Sequence, residues 1–111
     1  MSEMLAWTAG FLEGEGSFYL NRGNPVVKAK QVQQEPLARL QAAHGGSMNR
    51  YQRTDTDGYL RQPIHEWVLT GRRALLLMER LRPLMSPRRR LQIDDCLVAA
   101  HRQLALIGEE E

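Results

Sequence analysis

Only one cysteine, Cys96, occurs in the 111 residues, which excludes an intrachain disulfide framework and a cysteine-ligated zinc site. Three histidines, His44, His65 and His101, are too scattered to read as a metal cluster. Aromatic residues make up just 6% of the chain, and Trp7 and Trp67 are assigned to packing, where each contributes a large apolar area. Lysine is scarce: apart from Lys28 and Lys30, all of the 15 basic residues are arginine. No apolar run approaches the roughly 20 residues that span a bilayer, and the N-terminus shows no basic stretch followed by an apolar one. These absences lead us to expect an intracellular protein, in cytoplasm, nucleoid or organelle matrix, with no membrane partner.

What is present suits one domain over residues 1–111 with one core, at 42% hydrophobic and 25% charged residues. The formal net charge of +2 understates the asymmetry. Residues 17–90 carry fourteen Lys or Arg against five Asp or Glu, while Glu109, Glu110 and Glu111 form an acidic tail. A polyanion is the natural partner of such a middle segment, and arginine forks onto phosphates or guanine edges as lysine does not. A merely solvated arginine-rich surface would have the same composition.

Periodicity and punctuation give the element order. Ser2 is a plausible N-cap for a helix running to Gly14. "SFYLNR" alternates as a strand, "GNP" turns, and "VVKAKQVQ" resumes extended structure. "EPLARLQAAH" reads as a short helix with Pro36 in its first turn and Gly45–Gly46 as its stop. "SMNRYQR" and "YLRQPIHEWVL" flank "TDTDG" as a second hairpin, with Pro63 marking an edge or bulge. An amphipathic helix then ends near Pro83, and another begins at Ser86 and Pro87.

The expected architecture is therefore α+β: αββαββα with a four-stranded antiparallel saddle sheet, helices on one face, and a C-terminal helix. Strand alternation leaves Ser17, Tyr19 and Asn21, and Ser47, Asn49, Tyr51 and Arg53, on the open side. The second strand alternates less cleanly, because Lys28 and Lys30 share a parity with Val32, and Gln31 and Gln33 with Val27 and Ala29; a bulge that resets the facing is expected there. Polar, aromatic and basic side chains on a sheet are what reading base edges in a major groove requires.

"TAGFLEGEG" at 8–16 resembles the nine-residue signature of the LAGLIDADG homing endonucleases, and "EPLARLQAAHGGS", "HEWVLTG" and "SPRRRLQID" resemble further blocks of that family in its order. The resemblance implies a homodimer built on paired signature helices, with Thr8, Ala9, Gly10, Leu12 and Glu13 at the contact. It implies that Glu15 and the carbonyl of Gly14 bind Mg²⁺, with Mn²⁺ possible and Ca²⁺ as a non-cleaving substitute. A water-positioning residue is implied at Gln34 or its neighbour Gln33, and a basic pocket residue at Arg88 or Arg89. The double-stranded DNA contacts would come from Tyr19, Asn21, Arg22, Lys28, Lys30, Gln31, Gln33, Asn49, Tyr51, Arg53 and Arg61, with His65 also able to face the DNA. Glu13, two residues before Glu15, cannot share its direction on a helix and reads as a polar residue closing the helix pair or an ion-pair partner. The function implied is site-specific double-strand DNA cleavage at a pseudo-palindromic site by metal-assisted phosphodiester hydrolysis. The alternative is a non-cleaving nucleic-acid binder, an intron-RNA maturase or DNA-binding regulator, on the same sheet.

Overall fold

The computed structural model describes residues 2–110, with side chains described through Arg102; the acidic tail lies outside those side chains. Helix α1 spans Glu3–Glu15, strands β1 and β2 span Gly16–Asn21 and Asn24–Gln31, and α2 spans Glu35–His44. Strands β3 and β4 span Ser47–Thr54 and Leu60–Thr70, followed by α3 over Arg72–Leu81, a 3-10 turn over Arg82–Leu84 and α4 over Pro87–Glu110. The sheet is four-stranded, antiparallel throughout, in the order β1-β2-β4-β3.

Local chemistry explains the boundaries. The Ser2 hydroxyl accepts the Leu5 N–H at 3.0 Å, capping α1. The first hairpin turns one residue earlier than "GNP" suggests: Arg22 and Gly23 take φ of 53° and 81°, the paired positive values of a two-residue turn matched to strand twist, and Asn24 and Pro25 already belong to β2. Gly45 and Gly46 do more than stop α2. Both have positive φ, and a Cβ on Gly46 would lie 2.6 Å from the Val68 carbonyl oxygen and 2.9 Å from Trp67 Nε1. That close approach lets the Trp67 indole N–H donate to the Gly45 carbonyl at 2.8 Å. Pro63 sits where the β3–β4 register slips between Tyr51/Ile64 and Arg53/Arg61, with the extra residue on β4.

One face of the sheet is apolar. Phe18, Val27 and Leu69 are aligned across three strands, as are Ala29, Trp67 and Met48, and all six join the core formed with Ala9 and Leu12 of α1, Leu37 and Leu40 of α2, Ala74, Leu77, Met78 and Leu81 of α3, and Ile93 and Cys96 of α4. All four helices thus cover the same side, leaving the other open.

Two expectations need correction here. Strand β2 has no bulge: its pairing with β1 and β4 runs without slippage, so Lys28 and Lys30 occupy the open side, and Gln31 keeps the parity of Val27 and Ala29 on the helix side. The strand stops at Gln31, because pairing with β4 ends there and the chain must bend into α2, which leaves Gln33 outside the sheet. His65, paired with Gln31 and Arg50, also lies on the helix side, not on the open face, and its Nδ1 is 3.0 Å from the Val32 carbonyl oxygen.

Candidate nucleic-acid interface

The open face is assembled by register. Ser17, Lys28, Val68 and Ser47 form one cross-strand row, and Lys30, Glu66 and Asn49 the next, with Tyr51 opposite Ile64 beyond them. Tyr19 flanks Lys28, whose ammonium lies 5.5 Å from the ring centre. The Tyr19 hydroxyl beside it, followed by the charge of Glu66, holds the Lys28 ammonium above its ordinary pKa despite partial burial.

Glu66 was not among the residues expected in the interface. It is 6% exposed, its Oε2 lies 3.7 Å from Lys28 Nζ and 3.6 Å from Lys30 Nζ, and its Oε1 accepts the Tyr51 hydroxyl at 3.3 Å. The signal was in "HEWVL": with Trp67 and Leu69 facing the core, alternation sends Glu66 to the other side. Only the neighbouring strands bring three donors to it.

Glu15 is the last residue of α1 and is exposed. Together with Ser17, Tyr19, Lys28 and Lys30 it lines a cleft of about 400 Å³ at the β1 edge of the open face. A Cβ on the following Gly16 would stand 2.7 Å from the Leu12 carbonyl oxygen, so the absence of a side chain there allows the chain to pass directly from helix into strand and sets Glu15 against the sheet. Gln34 is elsewhere. It lines a separate polar cleft of about 1120 Å³ with Gln31, Gln33, Arg50 and His65, so the structure does not bring it into the cleft of Glu15.

Glu13 and Arg89 turn out to be partners in a clamp between α1 and α4. The Glu13 carboxylate accepts the Ser86 backbone N–H at 2.7 Å and its hydroxyl at 2.8 Å, while the Ser86 oxygen in turn accepts the Arg89 N–H at 3.3 Å. Arg89 Nε donates to the Glu13 carbonyl oxygen at 3.0 Å, and Nη1 donates to Gln92 Oε1 at 3.0 Å. Its side chain is 7% exposed, with the guanidinium 5.8 Å from the Phe18 ring centre. Of the two arginines expected as alternatives, Arg89 is buried in the clamp and unavailable to a phosphate, whereas Arg88 is exposed; Glu13 turns its carboxylate to α4 of its own chain.

The Ser86 N–H, then its hydroxyl, hold the Glu13 carboxyl below its ordinary value, with the charges of Arg89 and Arg88 adding to the effect. A group depressed on folding contributes stability that is complete above its unfolded pKa and is lost as pH falls through the folded one. Thermal melts from about pH 6 down to about pH 3 are therefore expected to show a few degrees of acid destabilisation that Glu13→Gln largely lacks, the effect being small because the group is partly solvated.

The contact face of α1 also needs correction. Thr8, Ala9 and Leu12 are buried within this chain, at 0%, 4% and 0% exposure, Thr8 donating to the Met4 carbonyl and lying 2.8 Å from His44 Nε2. The side of α1 packed into the core carries all three, and the larger Trp7 and Phe11 are only partly buried. The outward side carries Ala6, Gly10 and Gly14, with nothing within 4 Å of a Cβ placed on either glycine, and Trp7 stacks on Phe11 with ring centres 5.3 Å apart. Of the residues expected at a helix pair, Gly10 is on this surface and the half-buried Glu13 stands at its edge.

The other expected contacts lie on hairpin ends. Arg22 is in the β1–β2 turn beside Asn21. Arg61 pairs with Asp55, and the Arg53 guanidinium donates to the Gln62 carbonyl at 3.3 and 3.4 Å, so both arginines are held along their own hairpin. Among the described residues, no three His, Cys, Asp or Glu side chains gather to hold a metal, and no helix is long and apolar enough to cross a membrane.

No family model matches this chain, and no curated protein matches it either. Solved structures do match, among them an archaeal intron-encoded homing endonuclease complexed with DNA, with a TM-score of 0.59 and 17% identity, covering 80% of this chain and 62% of that one. The chain thus spans less than two thirds of that neighbour, and its antiparallel four-stranded sheet with helices on one side is a homing-endonuclease-like α+β fold.

Proposed function

We propose that two copies of this chain form a site-specific, divalent-metal-dependent DNA endonuclease of the LAGLIDADG type. The observation that carries the reading is the placement of Glu15: an exposed carboxylate at the tip of α1, in one cleft with Lys28, Lys30 and Tyr19 at the edge of an open polar sheet face. The homing-endonuclease-like fold supports it, as does the DNA complex of the structural neighbour.

The donor chemistry fits a hard cation. Mg²⁺ keeps several waters and takes one or two protein carboxylates plus phosphate, so one Glu15 from each copy suffices where one chain offers no cluster. Gly14 lies in the last helical turn, where carbonyls lack intrahelical partners, and adds a neutral oxygen. A metal there supplies polarisation of the scissile phosphate and activation of a water for in-line displacement. The chain's own groups position the duplex: the open face lies against the groove, and Arg88, always charged, stabilises charge on the phosphate. Two-fold pairing calls for a pseudo-palindromic target. Incubation with Mg²⁺ and a library of duplex sites tests the reading; absence of double-strand cuts, or tight RNA binding in their place, would sink it.

The pairing surface has its own test. Gly10→Arg places a long side chain where the single chain is empty but where two helices would meet. Because Gly is a poor helix former, the variant is expected to melt no lower than the parent as a monomer, yet to sediment as a monomer with DNA and lose cleavage at least about a hundredfold. A parental dimer would refute the surface.

A further inference from the structure

Glu66 has the wrong sign for its place. A face that meets a polyanion gains from cations, yet a buried carboxylate stands between its two lysines. The lysines do not need it for solvation, because their side chains are 29% and 55% exposed. Nor is it a stray charge, since two ammoniums pair with it and the Tyr51 hydroxyl donates to it, the condition under which a carboxylate can be buried.

Its effect is on what the lysines do. With Oε2 3.6 and 3.7 Å from the two ammoniums, the cluster carries one net positive charge in place of two, and an approaching phosphate must displace a partner already held and meet a negative charge behind it. The neutral groups around it, Asn49 and Tyr51, carry no such opposition to base edges. We propose that Glu66 is a specificity-determining residue: it restrains Lys28 and Lys30 from sequence-independent phosphate binding, so that discrimination among duplexes falls to the neutral hydrogen-bonding side chains of the sheet. This rests on the reading that the open face engages DNA.

The test is a salt series with a random-sequence duplex and with a site selected by the parent protein from a random pool. Glu66→Gln keeps the volume and an acceptor for Tyr51. It is expected to bind the random duplex roughly fivefold more tightly at low salt, with a log–log salt slope steeper by about 1, as one more counterion is released, and to discriminate less between the two duplexes. Adding Lys30→Gln is expected to return the slope to the parental value. An unchanged slope in a variant with parental circular dichroism overturns the proposal, and so does equal weakening on both duplexes, which marks a purely structural role. If Glu66→Gln does not fold, Lys28→Gln/Lys30→Gln in the parent serves: a slope shallower by about 1, the single net charge of the cluster, supports the restraint, and one shallower by about 2 overturns it. A parent protein that binds no duplex at all defeats the DNA reading itself, a result distinct from either.

Discussion

Protein carrying Glu15→Gln is expected to bind duplex DNA within about threefold of the parent and to cut it about a thousandfold more slowly, or not at all. The magnitude follows from asking the carboxylate to hold a metal whose charge lowers the barrier by several kcal/mol, about 4 of which correspond to three decades in rate. Folding should not change. Glu15 is exposed and accepts none of the side-chain bonds that Glu13 does, and surface substitutions of this kind shift stability by about 0.5 kcal/mol or less. The measurement is single-turnover cleavage in Mg²⁺ beside a binding titration in Ca²⁺. Parental cleavage by Glu15→Gln would remove the carboxylate from the chemistry; loss of binding together with cleavage would make it a docking group.

The neighbouring arginines of α4 should separate cleanly. Arg89→Ala removes a buried guanidinium that ties the Glu13 carbonyl to Gln92 and lies over Phe18. Truncating one partner of a buried charged network costs about 3 kcal/mol or more, and the expected result is a melting temperature lower by about 10 °C or more, with α4 loosened from the tip of α1. Arg88→Ala, exposed and one residue away, is expected to melt within about 2 °C of the parent and to cut about a hundredfold more slowly, the usual loss on removing one donor that stabilises transition-state charge. Its charge already reaches the end of α1, for it helps depress the Glu13 carboxyl. Melting curves and cleavage rates on the same two variants check both halves. An Arg89→Ala protein as stable as the parent, impaired only in cleavage, would reverse the assignment.

The clamp bears on why two acids stand so close together at the end of α1. Glu13 and Glu15 are two residues apart, so they leave the helix in different directions. One turns back to Ser86 and fixes the helix end; the other goes forward to the edge of the sheet. The first acid fixes the helix end that carries the second, and its contribution is expected in stability and its pH dependence.

The order and kind of every α-helix and strand, though not the 3-10 turn, were legible in the sequence, because they depend on short-range rules: the Ser2 cap, the Gly45–Gly46 stop, Pro83 ending α3, and period-2 alternation in "SFYLN" and "HEWVL". So was the side of the sheet taken by Tyr19, Asn49 and Tyr51, since alternation fixes facing once one core residue is known. Three matters were decided only by the tertiary structure. In α1 the residues Thr8, Ala9 and Gly10 are all small, and periodicity cannot say which of them turns inward until a sheet lies beside the helix. Arg88 and Arg89 are equivalent in composition, and a one-residue step, about 100° around the helix, buries one and frees the other. Glu66 acquires its role from Lys28, Lys30 and Tyr51, brought together from strands far apart in the chain, where no local pattern records that they meet.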